Sequence, residues 1–270
     1  MTITGPGTSA ETLLTACLDP PGTRTTAAIK TLICCAEPRW GELLWLAIQH
    51  KAECLLADAL TQPGLAELLP SRLRHFFHRS LRGSQHAAAI YRSEAARISK
   101  ALDAAAITAA ATGGIAVESV LYGGRGARQF SDLDLITVAS QADRLAETLA
   151  AQGYRRGRPG SGLATPGIWH RATGDIIVPL VVIDLHTGLP HVAGEPTADL
   201  EEALSRRVRQ PIPGHPEARL PVLAPGDQLR HARAAAEQKR AEGIANIRLL
   251  ADIRRMQIAG GCIPLTGVTA

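Results

Sequence analysis

The spacing of apolar residues divides the chain into a helical front, a mixed middle and a helical end. Over residues 40–60, Leu43, Leu44, Ala47, Ile48, Leu55, Leu56 and Leu60 recur at helical intervals, which predicts a helix behind Pro38. Thr8 and Glu11 have the spacing of a capping box that opens a short helix. Residues 71–106 are rich in Arg and Ala at the same period, with Gly83 as a candidate kink or break. The period then changes. Residues 107–112 form a short apolar run ending in Gly113-Gly114, and residues 115–122 read as a short helix. Residues 131–138 alternate, placing Asp132 and Asp134 on one face of a strand. Ser140 is placed to cap a helix over about 141–152, and residues 154–172 are glycine-rich and mixed. Residues 176–186, rich in Ile and Val, predict a strand on which Asp184 and His186 share a face. The prolines between Pro211 and Pro225 read as connections, and helices over 227–240 and 243–258 close the chain. The expected organisation is a helical region at 1–106, an α/β core at 107–222, and C-terminal helices and tail at 223–270.

Composition narrows the class. With 46% hydrophobic and 20% charged residues, the chain reads as soluble and globular, not as disordered, collagenous or coiled coil. Its longest apolar runs, 43–48 and 176–183, fall well short of a membrane-spanning helix, so no membrane role is expected. The first residues show neither the basic nor the apolar stretch of a secretory signal, which predicts a cytoplasmic protein. Five cysteines without a Cys-x-x-Cys argue against zinc or redox work, and Cys34-Cys35 falls in an apolar helical pattern that predicts burial. The net charge of +4 comes from 25 Arg and only 4 Lys, scattered among acids. Three each of Phe, Trp and Tyr provide no stacking platform for a single strand, so nucleic acid is not the favoured partner. Trp40 and Trp45 read as core, His75 and His78 as a solvated helix face, and His50 and His231 as packing residues.

The candidate chemistry lies in Phe130-Ser-Asp132-Leu-Asp134-Leu-Ile. Aspartates at i and i+2 of a strand project to one side, where their carboxylates can share divalent cations. Mg²⁺ takes oxygen ligands and often bridges carboxylate and phosphate. A third acid on a neighbouring strand would complete a two-metal site for in-line displacement at phosphorus, and Asp184 is the candidate. An Asp-x-Asp pair by itself is common on solvated strands; the ordered set gives this one its meaning. Gly113 and Gly114 fall between a strand and a helix, where backbone N–H groups can approach phosphate and the helix N-terminus favours an anion.

In this order of motifs the chain resembles the DNA polymerase β-like nucleotidyltransferase superfamily, and more closely its uncharacterised bacterial nucleotidyltransferase family. Gly114 stands eight residues before Tyr122, as in that family, Arg128 matches its loop arginine, and Asp132-Leu-Asp134-Leu-Ile matches its metal motif. Asp184-Leu-His186 matches its third acid and histidine. Trp40-x-x-Leu-Leu-x-Leu-Ala-x-x-His50, Leu229-Arg-His231 and Leu249-Leu-Ala-Asp252-Ile are similar to its flanking helices.

The resemblance implies an α+β fold, a small mixed β-sheet nucleotidyltransferase core flanked by N-terminal and C-terminal helical regions. It implies transfer of NMP from an NTP to a hydroxyl-type acceptor, a small molecule, with two Mg²⁺ or Mn²⁺ ions. Asp132, Asp134 and Asp184 would hold the metals and Asp184 would help deprotonate the acceptor. Gly113 and Gly114 would lie along the triphosphate, Arg128 would neutralise developing charge, and His186 would orient Asp184 or touch the acceptor. Two departures stand out: Gly113 replaces the family's lysine, and Ile115 replaces the superfamily's serine. Arg125 and Arg128 are the expected substitutes, because guanidinium groups grip phosphate well. The same departures leave open a catalytically degenerate binding or regulatory protein, and the basic charge leaves open a toxin-type enzyme acting on tRNA or protein.

Overall fold

The computed structural model describes residues 9–19, 26–36, 38–157, 167–190, 199–243 and 246–260. Four helices, α1 (Ser9–Leu18), α2 (Thr26–Ala36), α3 (Trp40–Gln49) and α4 (Glu53–Leu60), lead into the 34-residue α5 (Ser71–Ala104). The middle runs β1 (Ala109–Thr112), α6 (Gly113–Leu121), β2 (Leu133–Thr137), α7 (Ala142–Ala151), β3 (Arg155–Arg156), β4 (Ile168–Ala172) and β5 (Leu180–His186). Then come α8 (Leu200–Ser205), β6 (Val208–Ile212), β7 (His215–Val222), α9 (Pro225–Ala241) and α10 (Ile247–Ala259). Among the described residues seven strands join one mixed sheet in the order β3-β4-β5-β2-β1-β7-β6, so the α+β class holds. Among the described residues no helix is long and apolar enough to cross a membrane.

Strand alternation decides what the sheet buries. Leu133 and Leu135 of β2, and Val181 and Ile183 of β5, enter a core shared with Ile98 and Leu102 of α5 and Leu145 and Leu149 of α7. The intervening Asp134, Asp184 and His186 therefore face the other way, beside a smaller cluster in which Ile136 meets Ala203 and Leu204 of α8. The N-terminal helices build a separate core with Leu73 and Phe77 from the first half of α5. That core also takes in Tyr122, Ala127 and Ala251, which ties it to the elements around the acids.

Several expectations change. The single helix over 40–60 is two helices, because Lys51 between them adopts φ 50° and turns the chain. Gly83 leaves α5 unbroken. The proline-rich segment is the β6–β7 hairpin; β6 is an edge strand, where Pro211 is tolerated because the edge can forgo a ladder N–H. The strand expected from Ile176 starts at Leu180: the Asp175 carboxylate accepts from the N–H groups of Ile177 and Val178, forming a turn that leaves Ile176 exposed. Ser140 lies in a 3-10 turn, and α7 begins after Gln141 without a side-chain cap. Cys34, Cys35 and Trp45 are exposed, because they sit on the outer faces of α2 and α3. Trp169 is buried in the sheet core. Thr8, Cys262 and the tail lie outside the described residues.

Candidate active site

The site begins with register. β2 and β5 are parallel neighbours with Asp134 opposite Asp184 and Ile136 opposite His186. Adjacent, in-register positions of one face bring the two carboxylates and the imidazole together. His186 Nε2 lies 3.5 Å from Asp134 Oδ1 and 3.6 Å from Asp184 Oδ2. One donor atom from each of Asp134, Asp184 and His186 fits within 4.8 Å of the others, a grouping that could hold a metal ion. Asp132, one residue before β2, lies outside that tightest group but within electrostatic reach of both aspartates. Its neighbour Ser131 is held by the Tyr91 hydroxyl, which donates to the Ser131 carbonyl.

The electrostatics follow from this crowding. Burial, then the charges of Asp134 and Asp184, push the Asp132 carboxyl above its ordinary value. Burial also raises Asp184, where repulsion from Asp134 adds to it and His186 opposes it. His186 is raised by its interaction with Asp134, opposed by burial and reinforced by the charge of Asp184. His186 is thus a basic side chain within 3.6 Å of both Asp134 and Asp184.

The acids form the floor of a cleft of about 880 Å³. At one side stands the N-terminus of α6. Gly113 has φ +63°, and a Cβ there would collide with the Asp134 carboxylate. A Cβ at Gly114 would collide with Phe130 and the Arg128 guanidinium. Both glycines thus allow close approach, and a side chain at the first, where the family carries lysine, would displace the Asp134 carboxylate. Thr112 before them donates to Gln228 Oε1 at 3.0 Å, and Gln228 Nε2 donates to the Ala111 carbonyl, which pins α9 to the end of β1.

Of the two arginines expected to grip phosphate, the structure brings one to the cleft. Arg125 pairs with Asp58 of α4 at 2.9 Å and does not line it. Arg128 does line it, buried and tied to Asp252 of α10 at 2.6 Å, while Asp252 also accepts from the Tyr122 hydroxyl at 2.6 Å. Burial alone would lower the guanidinium's pKa; Asp252 overrides that and holds it raised.

The remaining walls carry residues that pattern reading missed or assigned to packing. His50 and Lys51 come from the α3–α4 junction, His231 and Lys239 from α9, and Arg248 from α10. Burial pushes His231 below the ordinary histidine value. Burial, then the Arg128 charge, lowers Arg248 to about 10. His50 and His231 stood in the flanking motifs of the resemblance; for the lysines the signal was scarcity, since two of the chain's four line this cleft. His75 and His78 lie on the exposed face of α5, as expected.

A family model described as "Uncharacterised nucleotidyltransferase" matches residues 36–258, most of the chain. Among solved structures, the chain is similar to an antigenic nucleotidyltransferase-like protein from Paracoccidioides brasiliensis. The identity is 21% and the TM-score 0.45, over 62% of this chain and 75% of that one. No curated protein matches.

Proposed function

The chain belongs to the uncharacterised nucleotidyltransferase family, and on that premise we propose that it moves a nucleoside monophosphate from a nucleoside triphosphate to a hydroxyl group of a small-molecule acceptor, with Mg²⁺ or Mn²⁺. The observation that carries this reading is the convergence of Asp134, Asp184 and His186 beneath an open cleft, with no Lys or Arg salt bridge to either aspartate among the described residues. Carboxylate oxygens are the donors these ions take, and His186 adds a nitrogen donor, so the residues fit a divalent cation. Asp134, Asp184 and His186 would hold one ion, and Asp132 with Asp134 a second. A bound cation would neutralise phosphate charge as the acceptor oxygen–phosphorus bond forms and pyrophosphate leaves.

The chain's own groups account for the rest. Asp184, its pKa raised, is suited to take the acceptor's proton. The N-terminus of α6 offers N–H groups to phosphate, with glycines that let it come close. Arg128, fixed by Asp252, places a guanidinium against Gly114, where it would offset developing negative charge.

One observation favours a second reading, a binding or regulatory protein that has lost catalysis: Arg125 and Arg128 are both engaged by acids. Purified protein, labelled nucleoside triphosphates, Mg²⁺ or Mn²⁺, and a panel of hydroxylated metabolites, tRNA and protein separate the readings. Label transfer to a small molecule, lost in Asp184→Asn, supports the proposal. Nucleotide binding without transfer supports the binding protein, and labelled tRNA or protein supports a toxin-type enzyme.

A further inference from the structure

The glycine turn poses a charge problem. A nucleoside triphosphate brings about four negative charges, and the acidic floor already repels them. The turn has no lysine, and a side chain at Gly113 would displace the Asp134 carboxylate. Arg125 is on Asp58, and Arg128 is shared with Asp252. Beyond the divalent ions and Arg128, further counter-charge for the distal phosphates has to come from elsewhere in the cleft.

We propose that Lys51 and Arg248 form the subsite for the distal phosphates of the nucleotide. The inference rests on the nucleotidyl-transfer reading and assigns part of its substrate to named residues. Both side chains line the same cleft as Gly113, Gly114 and Asp134. Arg248 is bound to the loop beside the turn, and the α3–α4 junction that carries Lys51 is tied to that loop through Glu53. Gln129, between Arg128 and Phe130, donates to Glu53 at 2.9 Å, two residues beyond Lys51. The Gln129 carbonyl accepts from Arg248 at 2.7 Å and from Arg128 at 3.0 Å. Arg248 and the segment that carries Lys51 therefore meet the same loop, whose Arg128 and Phe130 lie against Gly114 at the start of α6.

Each residue shows a cost that phosphate binding explains. Arg248 keeps a buried Nε without a hydrogen-bond partner and sits beside a second guanidinium. Two close guanidinium groups repel, and an anion between them removes the repulsion. Lys51 occupies a left-handed helix-end position, φ 50°, which glycine would fill without strain. No carboxylate is paired with it among the described residues. A lysine kept where glycine is easier, in a chain with four lysines, is accounted for by its charge.

The test titrates the full-length protein with Mg²⁺ plus inorganic tripolyphosphate, each of the four nucleoside triphosphates, and the matching monophosphates. Lys51→Gly should weaken tripolyphosphate and triphosphate binding about tenfold, leave monophosphate binding unchanged, and hold or raise Tm because the strain is relieved. Arg248→Met should weaken the same ligands, and Lys51→Arg should restore them. Wild-type affinity for tripolyphosphate and triphosphates in both Lys51→Gly and Arg248→Met overturns the subsite alone, as does an equal loss of monophosphate binding. Wild-type protein that binds no triphosphate overturns the nucleotidyl-transfer reading with it.

Discussion

Two sets of carboxylates in this molecule have opposite surroundings. Glu118 pairs with Arg92 at 2.6 Å and accepts from the Gly126 N–H, Asp252 is held by Arg128 and Tyr122, and Glu94 is held by Arg97, Arg171 and Tyr154. Burial would raise Glu94, yet its donors bring its pKa below the ordinary value. On the floor of the cleft the balance is reversed. Asp132 and Asp184 are raised by burial and by neighbouring acids, and His186 is the only salt-bridge partner of Asp134 and Asp184 among the described residues. Where the fold needs a buried acid for architecture, it surrounds the acid with donors. Where it leaves acids crowded and short of positive charge, the grouping is one that could hold a divalent cation.

Breaking each side of this comparison gives different results. Asp184→Asn should reduce nucleotidyl transfer by about 10³-fold, measured with labelled triphosphate, while the metal-free Tm does not fall. Asp252→Asn should do the reverse in stability, costing about 3 kcal/mol in denaturant unfolding because the Arg128 guanidinium stays buried without its counter-charge. Gly113→Ala tests the boundary between the two sets. Its positive φ costs about 1 kcal/mol, and its methyl displaces the Asp134 carboxylate, so Mn²⁺ affinity should fall about tenfold.

The smallest expected effect is the pH dependence. His186 is raised above 6.5, and Asp132 and Asp184 above 3.8. Groups raised on folding contribute stability below their unfolded values and lose it as pH rises through the folded ones. The metal-free Tm should therefore drift down above pH 3.8 from the acids and above pH 6.5 from His186. Metal affinity should move oppositely, rising with pH as these groups release their protons. Melting curves with and without Mn²⁺ at several pH values check both signs.

What the sequence made legible follows from periodicity. Alternation along residues 131–138 placed Asp134 away from the core, and an Ile/Val-rich run placed Asp184 and His186 on one face of a second strand. The in-register pairing of those strands is a tertiary fact that alternation alone leaves open. The cations were not legible. Arg125 and Arg128 lie three residues apart, yet only the fold sends one to Asp58 and the other to Asp252. Lys51 was hidden in what reads as continuous helix, because a left-handed residue leaves no mark when the residue is not glycine. The β6–β7 hairpin was hidden by its prolines, which an edge strand tolerates.

On the proposed reading, the crowded acids are a divalent-cation site. Calorimetric titration of Mn²⁺ into the metal-free wild-type protein and into Asp134→Asn and Asp184→Asn tests it most directly. The wild type should bind saturably with release of protons, and both variants should lose that binding at unchanged or higher Tm. Absence of binding up to roughly 10 mM Mn²⁺, or wild-type binding in both variants, would contradict it.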